Sequence, residues 1–192
     1  MTTKRLRNRS ILILSLTFLS AGNAWADKIH EAVQAGDIEK VKALLAKGEN
    51  VNAPDKGMFG FTPLHLAVLR GAKDMAELLL ANGADVKAME KLTSTTPLFS
   101  AADKNARDMA ELLLAHGADV NARSKANQTP LHHAAEFNSK DVAALLLERG
   151  ADVEAKDKIG ETPLHVASQH KAMAVAELLL AKGAQVNART DG

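Results

Sequence analysis

The sequence predicts an all-α repeat solenoid in which five stacked helix-turn-helix units are joined by β-hairpin fingers. One observation is a Thr-Pro-Leu-His phrase, with Phe replacing His in its second copy. It recurs at intervals of 34, 33 and 33 residues, beginning at Thr62, Thr96, Thr129 and Thr162. A Gly-Ala-x-Val phrase follows in the same register, beginning at Gly83, Gly117, Gly150 and Gly183. Each unit is too small to bury its apolar residues alone, so the units are expected to stack into one continuous core.

Each unit is predicted to contain two short helices and an extended connection. In the unit that begins at Thr62, the threonine is a good N-cap, and Pro63 fits the first helical turn, where its missing N–H costs nothing. Gly71 stands where the first helix should end in a left-handed backbone conformation. The later units carry Asn105, Asn138 and Lys171 at that place. A second helix is expected at about residues 74–82.

The first 26 residues have the layout of a cleaved secretory signal peptide. Four Lys and Arg residues lie among the first nine, an apolar run follows at residues 11–19, and Ala24-Trp25-Ala26 offers a small-x-small cleavage site. The run is far shorter than the roughly 20 residues that span a bilayer, so cleavage is preferred to a membrane anchor. Residues 27–192 would then form the mature repeat domain, and no membrane insertion is expected after cleavage.

The composition restricts the partner and the chemistry. Removing residues 1–26 takes away four of the 24 Lys and Arg residues and none of the 23 Asp and Glu residues, which leaves a net charge of −3. A mildly acidic chain lacks the clustered cations that a phosphate backbone requires, so nucleic acid is not an expected partner. The sequence has no cysteine, which excludes disulfides and thiol chemistry.

The repeated phrases resemble those of the ankyrin-repeat family. The resemblance rests on the Thr-Pro-Leu-His, Leu-Leu-Leu and Gly-Ala-Asp-Val phrases, and it covers nearly all of the chain after residue 26. It implies repeats at about 27–57, 58–91, 92–124, 125–157 and 158–190, the first of them an N-terminal cap. It also implies a non-catalytic module that binds proteins through its finger tips and the concave side of its first helices.

The departures from the repeat are expected to carry what is specific to this chain. The first finger is two residues longer than the third and fourth, the second finger is one residue longer, and Phe99 replaces the histidine of the third repeat. The last repeat keeps an apolar second helix instead of a polar cap. Its outer side is therefore expected to expose apolar surface and to support weak self-association.

The seven histidines form no recognisable metal motif. The resemblance implies a structural role for His65, His132 and His165, whose rings would hydrogen-bond near the threonine hydroxyl and adjacent backbone. His132 and His133 diverge by about 100° on a helix, so they do not readily chelate one ion. The serines of the short helices lack the flanking glycines of a nucleophile elbow. We expect no enzyme, no metal and no cofactor.

The candidate partner-binding residues lie on the fingers and on the first helices. By position they are Met58, Phe59, Phe61, Leu92 and Ile159 on the fingers, and Arg70, Lys104, His133, Phe137 and His170 on the first helices. For Phe59 and Phe61 the alternative is a local minicore on their own finger.

Repeat register also brings His133, Phe137 and His170 to the concave side. They would form either a partner-contacting patch that responds to pH or a solvated cluster without function. Phe137 is expected to be exposed there.

The expected function is non-catalytic binding of another protein, whose identity the sequence does not specify. The export signal favours a periplasmic scaffold or stabiliser in a Gram-negative bacterium. One alternative is a secreted effector that binds a host protein. A less favoured alternative is an enzyme that uses the His133 and His170 region.

Overall fold

The computed structural model describes residues 28–190, which form ten short helices in five consecutive pairs. The first helices of the pairs are α1 (Lys28–Ala35), α3 (Pro63–Arg70), α5 (Pro97–Asp103), α7 (Pro130–Glu136) and α9 (Pro163–Gln169). The second helices are α2 (Ile38–Ala46), α4 (Lys73–Ala81), α6 (Arg107–Ala115), α8 (Lys140–Glu148) and α10 (Met173–Ala181). The all-α repeat solenoid is confirmed. The predicted signal peptide lies outside the described residues.

The fingers between the pairs are loops. No strand occurs within residues 28–190, so the β-hairpin form predicted for the fingers is not shown. The first finger is closed by a hydrogen bond from the Asp55 N–H to the Phe61 carbonyl at 2.8 Å, and the Lys91 N–H joins it to the second finger through the Phe59 carbonyl at 2.7 Å. Gly60 has a φ of +61°, and a Cβ there would lie 2.7 Å from the Lys91 side chain. This close approach requires glycine.

The first helices end in the left-handed conformation that the sequence predicted. Positive φ angles of 69°, 51°, 54° and 56° occur at Gly71, Asn105, Asn138 and Lys171. Asn105 also contacts the next repeat, because its Oδ1 accepts hydrogen bonds from the backbone N–H groups of Asp141 at 3.0 Å and Val142 at 3.1 Å. The turn of the third repeat therefore caps the first turn of α8.

The apolar core runs along the whole stack and stays open at its last repeat. Equivalent leucines of four second helices are fully buried, at Leu79, Leu113, Leu146 and Leu179. Met173, Leu180 and Val186 are 66%, 44% and 75% exposed, which confirms the apolar outer surface predicted for this repeat. Between residues 28 and 190, no helix is long and apolar enough to cross a membrane.

In several repeats, a histidine of the first helix is hydrogen-bonded to the loop that follows the second helix of the same repeat. The Nδ1 of His65 accepts hydrogen bonds from the N–H of Thr62 at 3.3 Å and from its hydroxyl at 2.8 Å. Its Nε2 lies 3.3 Å from the carbonyl oxygen of Thr95, just before the next Thr-Pro. Because a backbone N–H only donates and a carbonyl only accepts, the ring is neutral and carries its proton on Nε2.

The same arrangement recurs at two other histidines. The Nε2 atoms of His132 and His165 lie 3.0 Å and 2.9 Å from the carbonyl oxygens of Glu161 and Ala188. Both Nδ1 atoms accept from the threonine three residues earlier. The structural role implied for the histidines of the repeated phrase is confirmed.

The first and third repeats vary this arrangement. His30 in α1 donates from Nε2 to the Phe61 carbonyl at 3.0 Å, although its repeat has no Thr-Pro, and its buried Nδ1 has no partner. Phe99 in α5 has no ring N–H and makes no such bond. The third repeat is therefore held to the fourth by other contacts.

We predict that the buried histidines make the fold acid-sensitive. Burial lowers the pKa of His65 and of His132 to about 4, even though their carbonyl partners favour the charged form. In the unfolded chain each ring takes up its proton near pH 6.5, so the free energy of unfolding falls between pH 6.5 and 4, by about 3 kcal/mol per histidine. Urea unfolding followed by circular dichroism at several pH values measures this loss.

The control is His132→Phe, which gives the fourth repeat the side chain that the third carries as Phe99. This variant should be less stable at neutral pH, because Thr129 and Glu161 lose their hydrogen-bond partner. It should also lose about 3 kcal/mol less than the parent on acidification. An unchanged pH dependence would contradict the neutral buried imidazole.

Candidate functional site

A cleft of about 190 Å³ opens between the fingers and the first helices of the second, third and fourth repeats. Its apolar walls are Phe59, Phe61, Leu69, Leu92 and Phe137. Its polar lining includes Glu90, Ser100, Asp103, His133 and Glu136. The cleft is therefore apolar around a few fixed polar groups.

The long first finger supplies one aromatic wall. The rings of Phe59 and Phe61 stack with their centroids 5.0 Å apart and their planes at 4°. The Phe61 ring also lies 5.7 Å from the ring of His65. Phe59 is buried and Phe61 partly buried. The two rings pack on each other, as the minicore alternative described, and they also form part of the cleft surface.

A buried carboxylate shapes the second finger and positions Leu92 at the cleft. Glu90 accepts hydrogen bonds from the N–H groups of Leu92 at 2.7 Å and Thr95 at 3.3 Å. The N–H and the hydroxyl of Thr93 also bind this carboxylate. Because three backbone donors converge on it, Glu90 holds its loop in one conformation.

An imidazole and a carboxylate join the third and fourth repeats inside the cleft. The Nδ1 of His133, in α7, lies 2.7 Å from Oδ1 of Asp103, at the end of α5. Their side chains are 15% and 8% exposed. The His133 ring meets Phe99 edge to face, with centroids 4.9 Å apart. This pair connects the repeats at the place where Phe99 makes no histidine bond.

The charge around His133 favours its protonated form. Burial by itself lowers the pKa of this imidazole. The charge and the hydrogen bond of Asp103, together with the charge of Glu136, outweigh burial and raise the pKa above its usual value. The contact between repeats is therefore a charge-assisted hydrogen bond below pH 6.5.

The cleft brings together half of the candidate residues. Its lining contains Phe59, Phe61, Leu92, His133 and Phe137. The other candidates lie elsewhere: Met58 and Ile159 are exposed at finger tips, and Arg70, Lys104 and His170 stand at or just beyond the ends of first helices.

Two details differ from the sequence-based expectation. Phe137 is partly buried instead of exposed, because it follows α7 directly and its ring lines the cleft. His170 does not join His133 and Phe137, because it occupies in the fifth repeat the place that Phe137 occupies in the fourth.

Sequence reasoning missed Glu90 as a residue of the site. Repeat register aligns Glu90 with Asp55 and Asp157, whose carboxylates also accept backbone N–H groups of their own fingers. This alignment was the available signal. The alignment predicts that the carboxylate of Glu90 binds backbone N–H groups of its own finger. It does not predict that Glu90 is buried and lines the cleft.

The lining contains a serine, a histidine and an aspartate, the residue types of a catalytic triad, but not all of the hydrogen bonds that a triad requires. A triad needs the serine hydroxyl within hydrogen-bond reach of the imidazole. In the part of the chain that is described, Ser100 makes no hydrogen bond to His133. No group of three His, Cys, Asp or Glu side chains within residues 28–190 is placed to hold a metal ion. The walls of the cleft are mainly apolar.

The family is settled by a match that extends along most of the chain. A family model of ankyrin repeats in three copies matches residues 29–124 and 122–190. The chain belongs to the ankyrin-repeat family. Ankyrin repeats are protein–protein interaction modules, and this chain is one by its fold.

Curated relatives match shorter segments. A mouse protein named 2-5A-dependent ribonuclease is 45% identical over 65 residues, which are 34% of this chain and 9% of that protein. Zebrafish ankyrin repeat domain-containing protein 13C is 44% identical over 59 residues, 31% of this chain and 12% of that protein. Human protein phosphatase 1 regulatory subunit 27 is 42% identical over 57 residues, 30% of this chain and 36% of that protein. The chain spans little of these relatives' lengths.

We predict that Asp103→Asn weakens the junction of the third and fourth repeats in a pH-dependent way. Because the pKa of His133 is raised in the folded chain, the pair stabilises the fold fully below pH 6.5, and the effect is lost as pH rises through the raised pKa. The substitution should lower the free energy of unfolding by about 1.5–3 kcal/mol near pH 6, and by less at pH 9.

Urea unfolding at both pH values measures the difference. Glu77→Gln, at an exposed site on α4, is the control and should change neither value appreciably. An Asp103→Asn effect of equal size at both pH values would contradict a charge-assisted bond.

Proposed function

We propose that this ankyrin-repeat protein is a non-catalytic binding protein that holds its partner protein in the cleft between the fingers and the first helices. The observation that carries the proposal is the convergence of five predicted contact residues on one apolar cleft. Interface energy concentrates in such pockets, where a few anchors are fully desolvated. The fingers around the cleft are joined by backbone hydrogen bonds, so the surface is preformed and little entropy is lost on binding.

We propose further that the chain is exported and acts in the periplasm as a scaffold or stabiliser of its partner. The support is the signal-peptide pattern of residues 1–26. Cell fractionation with an antibody to the repeat domain tests the location. Recovery from the periplasm supports a resident protein, whereas accumulation in the medium favours the secreted effector.

Crosslinking in living cells tests the binding surface. We predict that benzoylphenylalanine placed at Leu92, in the cleft, yields a discrete crosslinked adduct on illumination. The same photoreactive residue at His116, an exposed position that directly follows α6, should yield none. Equal adducts from both positions, or an adduct from His116 alone, would show that the cleft is not the interface.

Substitution inside the cleft tests the same surface by loss of binding. We predict that Leu92→Asp and Phe137→Asp each abolish the adduct formed by a photoreactive residue at Lys125, because a carboxylate would replace an apolar wall. Leu92 is exposed, so its variant should keep the parental stability within about 0.5 kcal/mol. Circular dichroism verifies the fold, and an undiminished adduct from a folded Leu92→Asp variant would refute the proposal.

We also propose weak self-association through the open face of the last repeat. The second helices of the preceding three repeats begin with a cation, at Lys73, Arg107 and Lys140, whereas α10 begins with the exposed Met173. Together with Leu180 and Val186, this residue makes the outer face apolar, and such faces promote association.

We predict that Met173→Lys reduces self-association without loss of stability, since it restores the charge carried by the other repeats. Sedimentation velocity over a range of concentrations measures the effect. Ala181→Lys, at an exposed site at the other end of α10, is a charge-matched comparison. If the parent protein stays monomeric at all concentrations, the proposal of self-association is contradicted, and the proposal of partner binding in the cleft still stands.

A further inference from the structure

The lining of the cleft indicates the chemistry of the group that fills it. We infer that the cleft takes a single aromatic side chain of the partner, next in its sequence to a basic residue that faces Glu136. This inference rests on the proposed function and adds the class of partner segment.

The size of the cleft suits one side chain. Its volume of about 190 Å³ is below the roughly 300–1,000 Å³ of sites that enclose small ligands or cofactors. Three of its walls are phenylalanine rings, at Phe59, Phe61 and Phe137. Aromatic rings pair favourably in stacked or edge-to-face contact, so an aromatic anchor gains more here than an aliphatic one of equal area.

The charges of the lining are mostly satisfied within the protein. Glu90 binds the N–H groups of its own loop. Asp103 is bound to His133. The ammonium of Lys125 donates to the carbonyl oxygen of Leu92 at 3.1 Å and also to that of Lys91. Each of these groups therefore has a hydrogen-bond partner within the protein, and the charges of the carboxylates Glu90 and Asp103 offset those of Lys125 and protonated His133.

Glu136 is the exception in the lining. It is partly buried on the cleft wall, and within residues 28–190 its carboxylate makes no hydrogen bond and no ion pair. Its charge already contributes to raising the pKa of the neighbouring His133. When an apolar side chain fills the cleft, water leaves this carboxylate, and a cation on the incoming segment offsets the lost hydration.

The neighbouring cations do not reverse this preference. Arg70 and Lys104 lie on the same side of the stack, but both are exposed and neither lines the cleft. Exposed charges are screened by water and salt, whereas Glu136 faces the bound segment directly. An acidic residue beside the anchor would meet Glu136 and be repelled.

A pair of matched dipeptides tests the inference. The chain has one tryptophan, Trp25, outside the described residues, and no tyrosine. In the full-length protein that carries Trp25→Phe, all tryptophan emission comes from the added probe. The probes are N-acetyl-Trp-Arg-amide and N-acetyl-Trp-Glu-amide, which share the anchor and differ in the flanking charge.

We expect a saturable blue shift of the emission with both probes, and about two- to five-fold tighter binding of the arginine probe, as for a partly exposed ion pair. Glu136→Gln should bring the two affinities together, whereas Glu177→Gln, at an exposed site on α10, should leave the ratio unchanged. Leu92→Ser should weaken both probes equally. Circular dichroism confirms that each variant is folded.

Any of three results would overturn the inference. They are the absence of saturable binding, equal affinities of the two probes for the parent protein, and a preference for the arginine probe that survives Glu136→Gln. The crosslinking experiment separates this failure from that of the proposed function. An adduct at Leu92 with no dipeptide preference would keep the cleft as the interface and reject the aromatic–basic anchor. Absence of the Leu92 adduct would reject the interface itself.

Discussion

In four of the five repeats, an imidazole that donates its Nε2 proton to a carbonyl oxygen joins the first helix to the loop that follows the second helix of the same repeat. The bonds are made by His30, His65, His132 and His165 at 2.9–3.3 Å. At His65, His132 and His165 the ring must be uncharged, because a charged imidazole would place a proton on Nδ1, to which a backbone N–H already donates. The chain has no cysteine, so noncovalent contacts hold the stack together, and these bonds and the buried apolar core are chief among them.

The cleft forms where this pattern is interrupted. Phe99 cannot make the imidazole bond, and its ring packs against His133, which pairs instead with Asp103 across the same junction. The hydrogen bond between the third and fourth repeats therefore lies in the cleft, which the two phenylalanine rings of the long first finger also line. Phe99, at the position of the structural histidines, thus lies beside a different histidine, His133, that lines the cleft.

The sequence predicted the features that repeat and missed those that depend on packing between repeats. The helix ends at Gly71 and Asn105 follow from local backbone chemistry, so the sequence of one unit predicts them. The structural role of His65 followed from the resemblance to ankyrin repeats. The burial of Glu90 and the pairing of Asp103 with His133 arise between units, where repeat register gives approximate position but no side-chain direction. His170 lies at the Phe137 position of the fifth repeat, whereas the cleft is lined by the second, third and fourth repeats.

In this account, some histidines of the chain are neutral and one is protonated at the same pH. Long-range proton–nitrogen NMR of the imidazole rings is the most direct test of this difference. At pH 5.5 the account predicts that His65 and His132 remain neutral with the proton on Nε2, since burial lowers the pKa of each to about 4. His133 should be fully protonated in the same spectrum, because Asp103 and Glu136 raise its pKa. Protonated rings at His65 and His132, or a neutral ring at His133, would contradict the account.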